Sequence, residues 1–185
     1  MCGVVELLFS NRTGKVLVIC FPYCLSEEKE AIEKYIASRL GFGVGFIDHG
    51  SYLPSELYDS WRGQYRSEDV LDYLSSLRLG SLTIAIIKED AYVYGYNYVF
   101  GHADPKRGVC AVYTKRISGQ GGDEYILRLV KETLHELGHL LGLDHCNNRE
   151  CVMSFSRNLA EVDRKKPIYC SSCLAKLNKG IAGFR

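Results

Sequence analysis

Residues 135–146 read HELGHLLGLDHC and hold three of the chain's five histidines. His135 and His139 are four residues apart. On a helix that spacing stacks two imidazoles on one face, about one turn apart. Neutral imidazole nitrogens take zinc at about 2.0–2.1 Å, so this pair can share one ion. Glu136 points about a quarter-turn away, where it is badly placed as a ligand but can reach a water on the metal. The chemistry this spacing allows is metal-assisted hydrolysis, with a zinc-activated water and Glu136 as general base.

Gly142 can adopt positive φ, end the helix and turn the chain sharply. His145 is then free to swing back as the third ligand. Asp144 is its neighbouring competitor, and spacing favours His145. Three protein ligands leave one position for water, as a catalytic zinc requires. The plainer alternative is a buried helix that happens to carry histidines. A helical wheel argues against it: Leu127, Val130, Leu134, Leu137 and Leu141 form one stripe, and the histidines lie about 150° away from it.

A second cluster follows. Cys146 and Cys151 are separated by four residues, and Cys170 and Cys173 by two. The segment between the pairs is long enough to fold back. Four thiolates at about 2.3 Å make a closed zinc site without a water position, hence structural. The rival readings are four unrelated thiols or two disulfides, and disulfides need an oxidising compartment or a hyperthermophilic source. Cys2, Cys20, Cys24 and Cys110 sit among apolar neighbours and read as small buried side chains, although Cys20 and Cys24 are close enough to pair. Met153 reads either as a gap-filling core residue or as a methionine turn beneath the histidines.

These residues need elements to hold them. The 185-residue chain suits one domain over 1–185, with an upper lobe of about 1–142 and a lower lobe of about 143–185. Apolar runs at 16–21, 43–47, 82–87 and 109–114 read as strands, with 82–87 central and 96–101 as an edge strand. Helices are expected from Ser26 to Gly41, from Ser67 to Gly80, from about Asp123 to Leu141, and near 171–179. Pro54–Tyr65 reads as irregular, and Gly119–Gly122 as a flexible break. The class is α/β (α+β): a mixed sheet with two covering helices and one deep helix.

Composition excludes other classes. The formal charge of +1 and the lack of a long basic run make nucleic acid an unexpected partner. No apolar stretch is long enough to span a bilayer. The start, MCGVVELLFSNRTGK, lacks a basic region and a cleavage site, so a cytoplasmic protein is expected. The sequon at Asn11–Thr13 carries little weight without secretion. Oligomeric state is not legible.

HELGHLLGLDHC, the spacing to Cys151, Met153 in CVM and CSSC at 170–173 together resemble the archaemetzincin family of zinc metallopeptidases. The resemblance covers residues 135–173. It implies a twisted mixed sheet above a cleft, an active-site helix, a methionine turn at Met153 and a small zinc-stabilised C-terminal lobe. It also implies two zinc ions per chain: one held by His135, His139 and His145 with Glu136 as base, the other by Cys146, Cys151, Cys170 and Cys173. The edge strand near Tyr96–Gly101 would pair with an extended peptide or protein substrate. Tyr113, Tyr125, Tyr169, His102 and nearby lysines are open as second oxyanion donor, and His49 reads as a turn residue. The alternatives are a catalytically weak zinc-binding peptide-recognition module and a zinc-stabilised interaction module. Retention of Glu136 argues against the first, because binding alone needs no base. Near-neutral charge argues against nucleic acid for the second.

Overall fold

The computed structural model describes residues 14–79, 82–119 and 121–181. Cys2 and the Asn11–Thr13 sequon lie outside the described residues.

Four parallel strands build the main sheet: β1 (Lys15–Phe21), β2 (Gly43–Asp48), β5 (Leu82–Ile87) and β8 (Val109–Tyr113). Its order is β2-β1-β5-β8-β7, where β7 (Gly101–Asp104) is an antiparallel edge strand. Side chains alternate across it, as the two-residue period demands. Val16, Val18 and Cys20 of β1, Ile84 and Ile86 of β5, and Cys110 and Val112 of β8 face one core. Ile19 and Phe21, Ala85 and Ile87, and Ala111 and Tyr113 face the other. The expected central strand is β5, buried on both faces.

Helices α1 (Ser26–Leu40) and α3 (Gly122–Leu140) cover the first face, and α2 (Ser67–Ser76) covers the second. Helix α1 ends at Gly41, whose φ of 70° supplies the left-handed turn. Its start differs from expectation by one residue. Leu25 is the cap, and the Glu28 carboxylate accepts from its backbone N–H at 2.6 Å. Helix α2 stops at Ser76, and Arg78 takes positive φ beyond it; Gly80, the expected terminator, lies outside the described residues.

Residues 54–65 are more regular than expected. They hold a turn of 3-10 helix (Ser55–Leu57), β3 (Tyr58–Asp59) and the start of β4 (Gln64–Arg66). With β6 (Ala91–Tyr92) these strands form a second, three-stranded sheet.

Two corrections matter for the site. The edge strand is Gly101–Asp104, not 96–101. The turn that closes the hairpin fixes the register, with Arg107 N–H donating to Asp104 O, and so pairs residues 101–104 with 109–112. The tyrosine-rich stretch before it makes only an isolated bridge, Ala91 to Val99. Secondly, Cys20 and Cys24 form a disulfide, whereas Cys110 is buried and free as expected. The end of β1 and the loop into α1 bring the two Cα atoms to 5.4 Å, within pairing range.

After Gly142 the chain runs through turns to α4 (Leu159–Arg164) and α5 (Ser171–Ile181). No helix among the described residues is long and apolar enough to cross a membrane.

Candidate metal centre and cleft

Helix α3 is buried nearly all round. Val130, Leu134 and Leu137 are buried, but so are Lys131, Glu132, Thr133, His135 and Glu136. Leu127, one of the expected stripe, is 37% exposed. The wheel therefore did not separate a core face from a wet one. Sheet and α1 cover one side of the helix, and the segment after Gly142 covers the other. That second cover is long-range and leaves no periodic trace.

Gly142 has φ 86° and sends the chain back across the helix end. His135, His139 and His145 then converge, with one ring nitrogen from each within 4.8 Å of the others. Asp144 is exposed and lies outside this group. His135 Nδ1 is 2.8 Å from Val152 O, and His139 Nδ1 is 2.7 Å from Leu143 O. A carbonyl only accepts, so each Nδ1 donates and each Nε2 is left with its lone pair. The two Nε2 atoms are 3.1 Å apart. Two lone pairs facing each other at that distance repel unless a cation lies between them. The donor set thus fits a zinc ion. Burial pushes the His135, His139 and His145 imidazoles down, with His135 well below the usual range, so the neutral form that binds metal prevails.

Glu136 lies flush against β7. A Cβ at Gly101 would overlap its carboxylate. Burial, aided by the charge of Glu132 one turn earlier, pushes the Glu136 carboxyl well up and strengthens its hold on a proton. Gly138 plays the same part on the opposite side. A Cβ there would overlap Met153 Sδ and crowd Tyr169. Met153 is fully buried beneath the helix, next to the carbonyl that orients His135.

The cleft has a volume of about 590 Å³. Its lining includes Tyr98, His102, Glu132, His135, Glu136 and Arg157. Tyr98 OH donates to Arg157 O at 2.6 Å, joining its two rims. Glu132 is held by a buried ion pair with Lys165 at 2.7 Å. Of the side chains left open as oxyanion donors, Tyr125 donates to Glu28, Tyr169 to Leu134 O, and Tyr113 is bonded to Ser67. Among these named tyrosines and His102, only His102 lines the cleft, with Nδ1 3.1 Å from Ser67 Oγ. His49 bonds Ser51 two residues on, as a turn residue would.

Cys146, Cys151, Cys170 and Cys173 also converge, with all four sulfurs within 4.8 Å and none in a disulfide. Cys146 to Cys170 and Cys151 to Cys173 are each 3.7 Å. A zinc tetrahedron with about 2.3 Å bonds has edges of about 3.8 Å. The quartet fits that ion.

The sequence reading missed Gly101, Glu132, Lys165 and Tyr98. Gly138 left a signal, since a glycine inside a helix costs about 1 kcal/mol against alanine and invites a packing reason.

The sheet, the deep helix and the histidine-lined cleft define a zinc metallopeptidase, and comparison with known proteins agrees. The sequence model of peptidase family M54 matches residues 25–179. The archaemetzincin of Aeropyrum pernix is 51% identical over 129 residues, covering 67% of this chain and 70% of its own. The crystal structure of archaemetzincin from Methanopyrus kandleri superposes with a TM-score of 0.82 at 33% identity, covering 92% of this chain and 96% of that one. A zinc-dependent peptidase from Methanocorpusculum labreanum gives a TM-score of 0.81 at 30% identity, covering 88% and 100%. The chain belongs to peptidase family M54, the archaemetzincins.

Proposed function

We propose that the chain hydrolyses peptide bonds of peptide or protein substrates, using one catalytic and one structural zinc. His135, His139 and His145 hold the first, and Cys146, Cys151, Cys170 and Cys173 the second. Met153 forms the methionine turn beneath the first. The whole chain acts as one domain, with the segment after Gly142 as the lower wall of the cleft. The observation that carries the reading is the pair of carbonyl-locked imidazoles whose Nε2 atoms meet at 3.1 Å beside Glu136. When bound, zinc acidifies water and polarises the scissile carbonyl.

This chain's own residues do the rest. Glu136 takes the proton of the attacking water and later delivers it to the leaving amine. Its buried setting favours the proton-carrying state between those steps. The outer edge of β7 offers backbone groups for strand addition by an extended substrate, beginning at Gly101 and ending three residues later than the sequence suggested. His102, which lines the cleft and bonds Ser67 through Nδ1, serves as the second donor in this reading.

A peptide-library digest with the native protein and Glu136→Ala tests the reading. The variant should lose about 10²–10⁴-fold in rate while keeping its zinc. Equal cleavage by both would refute Glu136 as base. No cleavage by the zinc-loaded native protein would move the assignment to a peptide-binding module. Metal analysis should find two zincs in the native protein and one in Cys170→Ser/Cys173→Ser.

A further inference from the structure

The chain's single tryptophan is 98% exposed. Trp61 sits in the loop of the β3–β4 hairpin, and Tyr58 at the hairpin's base is 40% exposed. On the adjoining turn, Tyr94 is 93% and Tyr96 57% exposed. Singly exposed apolar side chains need no explanation, but four large aromatics on two joined turns do. Tyr58 packs edge-on against Tyr65, but Trp61 and Tyr94 are almost wholly uncovered.

The two turns are fastened together. Arg62 Nη2 donates to Tyr96 O and Asn97 O, both at 3.2 Å, and its guanidinium lies 3.9 Å from the Tyr92 ring centre. Asp59 accepts from the N–H groups of Trp61 and Arg62 at 3.0 and 3.1 Å, and from Tyr92 OH at 2.8 Å. The aromatic side chains therefore stand on ordered backbone, which lowers the entropy lost on binding. The same turn continues into the cleft, which Val93, Tyr96 and Asn97 help to line.

We propose that Trp61, Tyr94 and Tyr96 form an auxiliary binding surface for polypeptide substrate. It takes aromatic or apolar side chains of an extended segment lying beyond the part held in the cleft. The inference rests on the peptidase reading above. Trp and Tyr are the side chains that dominate such contacts, and their flat faces accept varied apolar groups. The occupant is substrate because the surface is continuous with the cleft rim. The chemistry predicts a preference for longer, flexible chains over short peptides that cannot span both regions.

Trp61 is its own reporter. The experiment uses a Trp-free peptide of about 20 residues bearing Phe and Leu, and a truncated form of about 6 residues that spans only about 20 Å. With full-length, zinc-loaded Glu136→Gln, the long peptide should shift Trp61 emission to the blue, and the short one should leave it unchanged. With the otherwise native protein, Trp61→Ala should raise KM for the long peptide roughly tenfold at unchanged kcat, while short-peptide turnover serves as the internal reference. An unshifted emission at saturating long peptide overturns the proposal. So does an equal loss on both peptides, or a shift that follows protein concentration without peptide, which would assign the patch to a second copy. Because the emission is read without turnover, absence of cleavage would sink the peptidase reading separately.

Discussion

Glu136 occupies the space that a side chain at Gly101 would need. Gly101→Ala should therefore displace the carboxylate from the cleft. A displacement of about 1 Å can cost on the order of 10²-fold in rate, so kcat should fall by that order while zinc content stays unchanged. Steady-state kinetics with parallel metal analysis checks both. The sequence placed His135, Glu136 and His139 because a helix fixes neighbours one turn apart. It could not show Gly101, because that contact depends on where β7 falls. His145 is an intermediate case: Gly142 signalled that the chain turns, while the carbonyls of Leu143 and Val152, which orient His139 and His135, emerged only from the fold.

Helix α3 is fastened to the segment after Gly142 by charged groups. Lys165 and Glu132 are both almost wholly buried and pair at 2.7 Å. Lys165→Ala would strand the Glu132 carboxylate without a partner, a loss of about 3–5 kcal/mol. Chemical denaturation should show it, and Glu132→Gln/Lys165→Met should recover most of it. Nearer the surface, Arg128 grips Asp163 of α4 with two bonds of 2.7 Å. These bonds hold the Asp163 carboxyl below its ordinary range. A carboxylate whose pKa is lowered by folding stabilises above its unfolded pKa, and that contribution vanishes as pH falls through the folded value. Asp163→Asn should thus lower Tm at neutral pH, with the gap from native protein closing as pH falls below about 4. Thermal melts across that range test the sign. At this scale the strands at 16–21, 43–47, 82–87 and 109–114 were readable from composition. The edge strand was misplaced because the aromatic alternation of YNYVFG imitates a strand, whereas ladder pairing is set by the following turn.

Across the whole molecule, the cysteine quartet joins the turn after His145 to the start of α5. His145 and Cys146 are adjacent residues facing different candidate zincs. Loss of the second site should loosen the cleft's lower wall. A structural zinc supplies several kcal/mol or more, so Cys170→Ser/Cys173→Ser should lower Tm by roughly 10 °C or more. Limited proteolysis should cut first after Gly142. Protection of that segment equal to the native protein's would remove the quartet's structural role.

The sequence by itself determined what lies within one turn or one short loop: the histidine pair, its glutamate, the helix-ending Gly142, and two cysteine pairs with metal-ligand spacing. It also determined the continuous burial of the central strand, whose unbroken apolar run needs cover on both faces. Helix pitch and strand pleat fix these relations before any long-range contact forms. Tertiary structure decided which distant groups meet: Glu136 with Gly101, Gly138 with Met153, Glu132 with Lys165, and the two cysteine pairs with each other. It also closed the Cys20–Cys24 disulfide and tied the hairpin that carries Trp61, through Arg62, to the turn whose Tyr96 lines the cleft. Such meetings depend on sheet register and on how the chain returns over α3, and no local period encodes either.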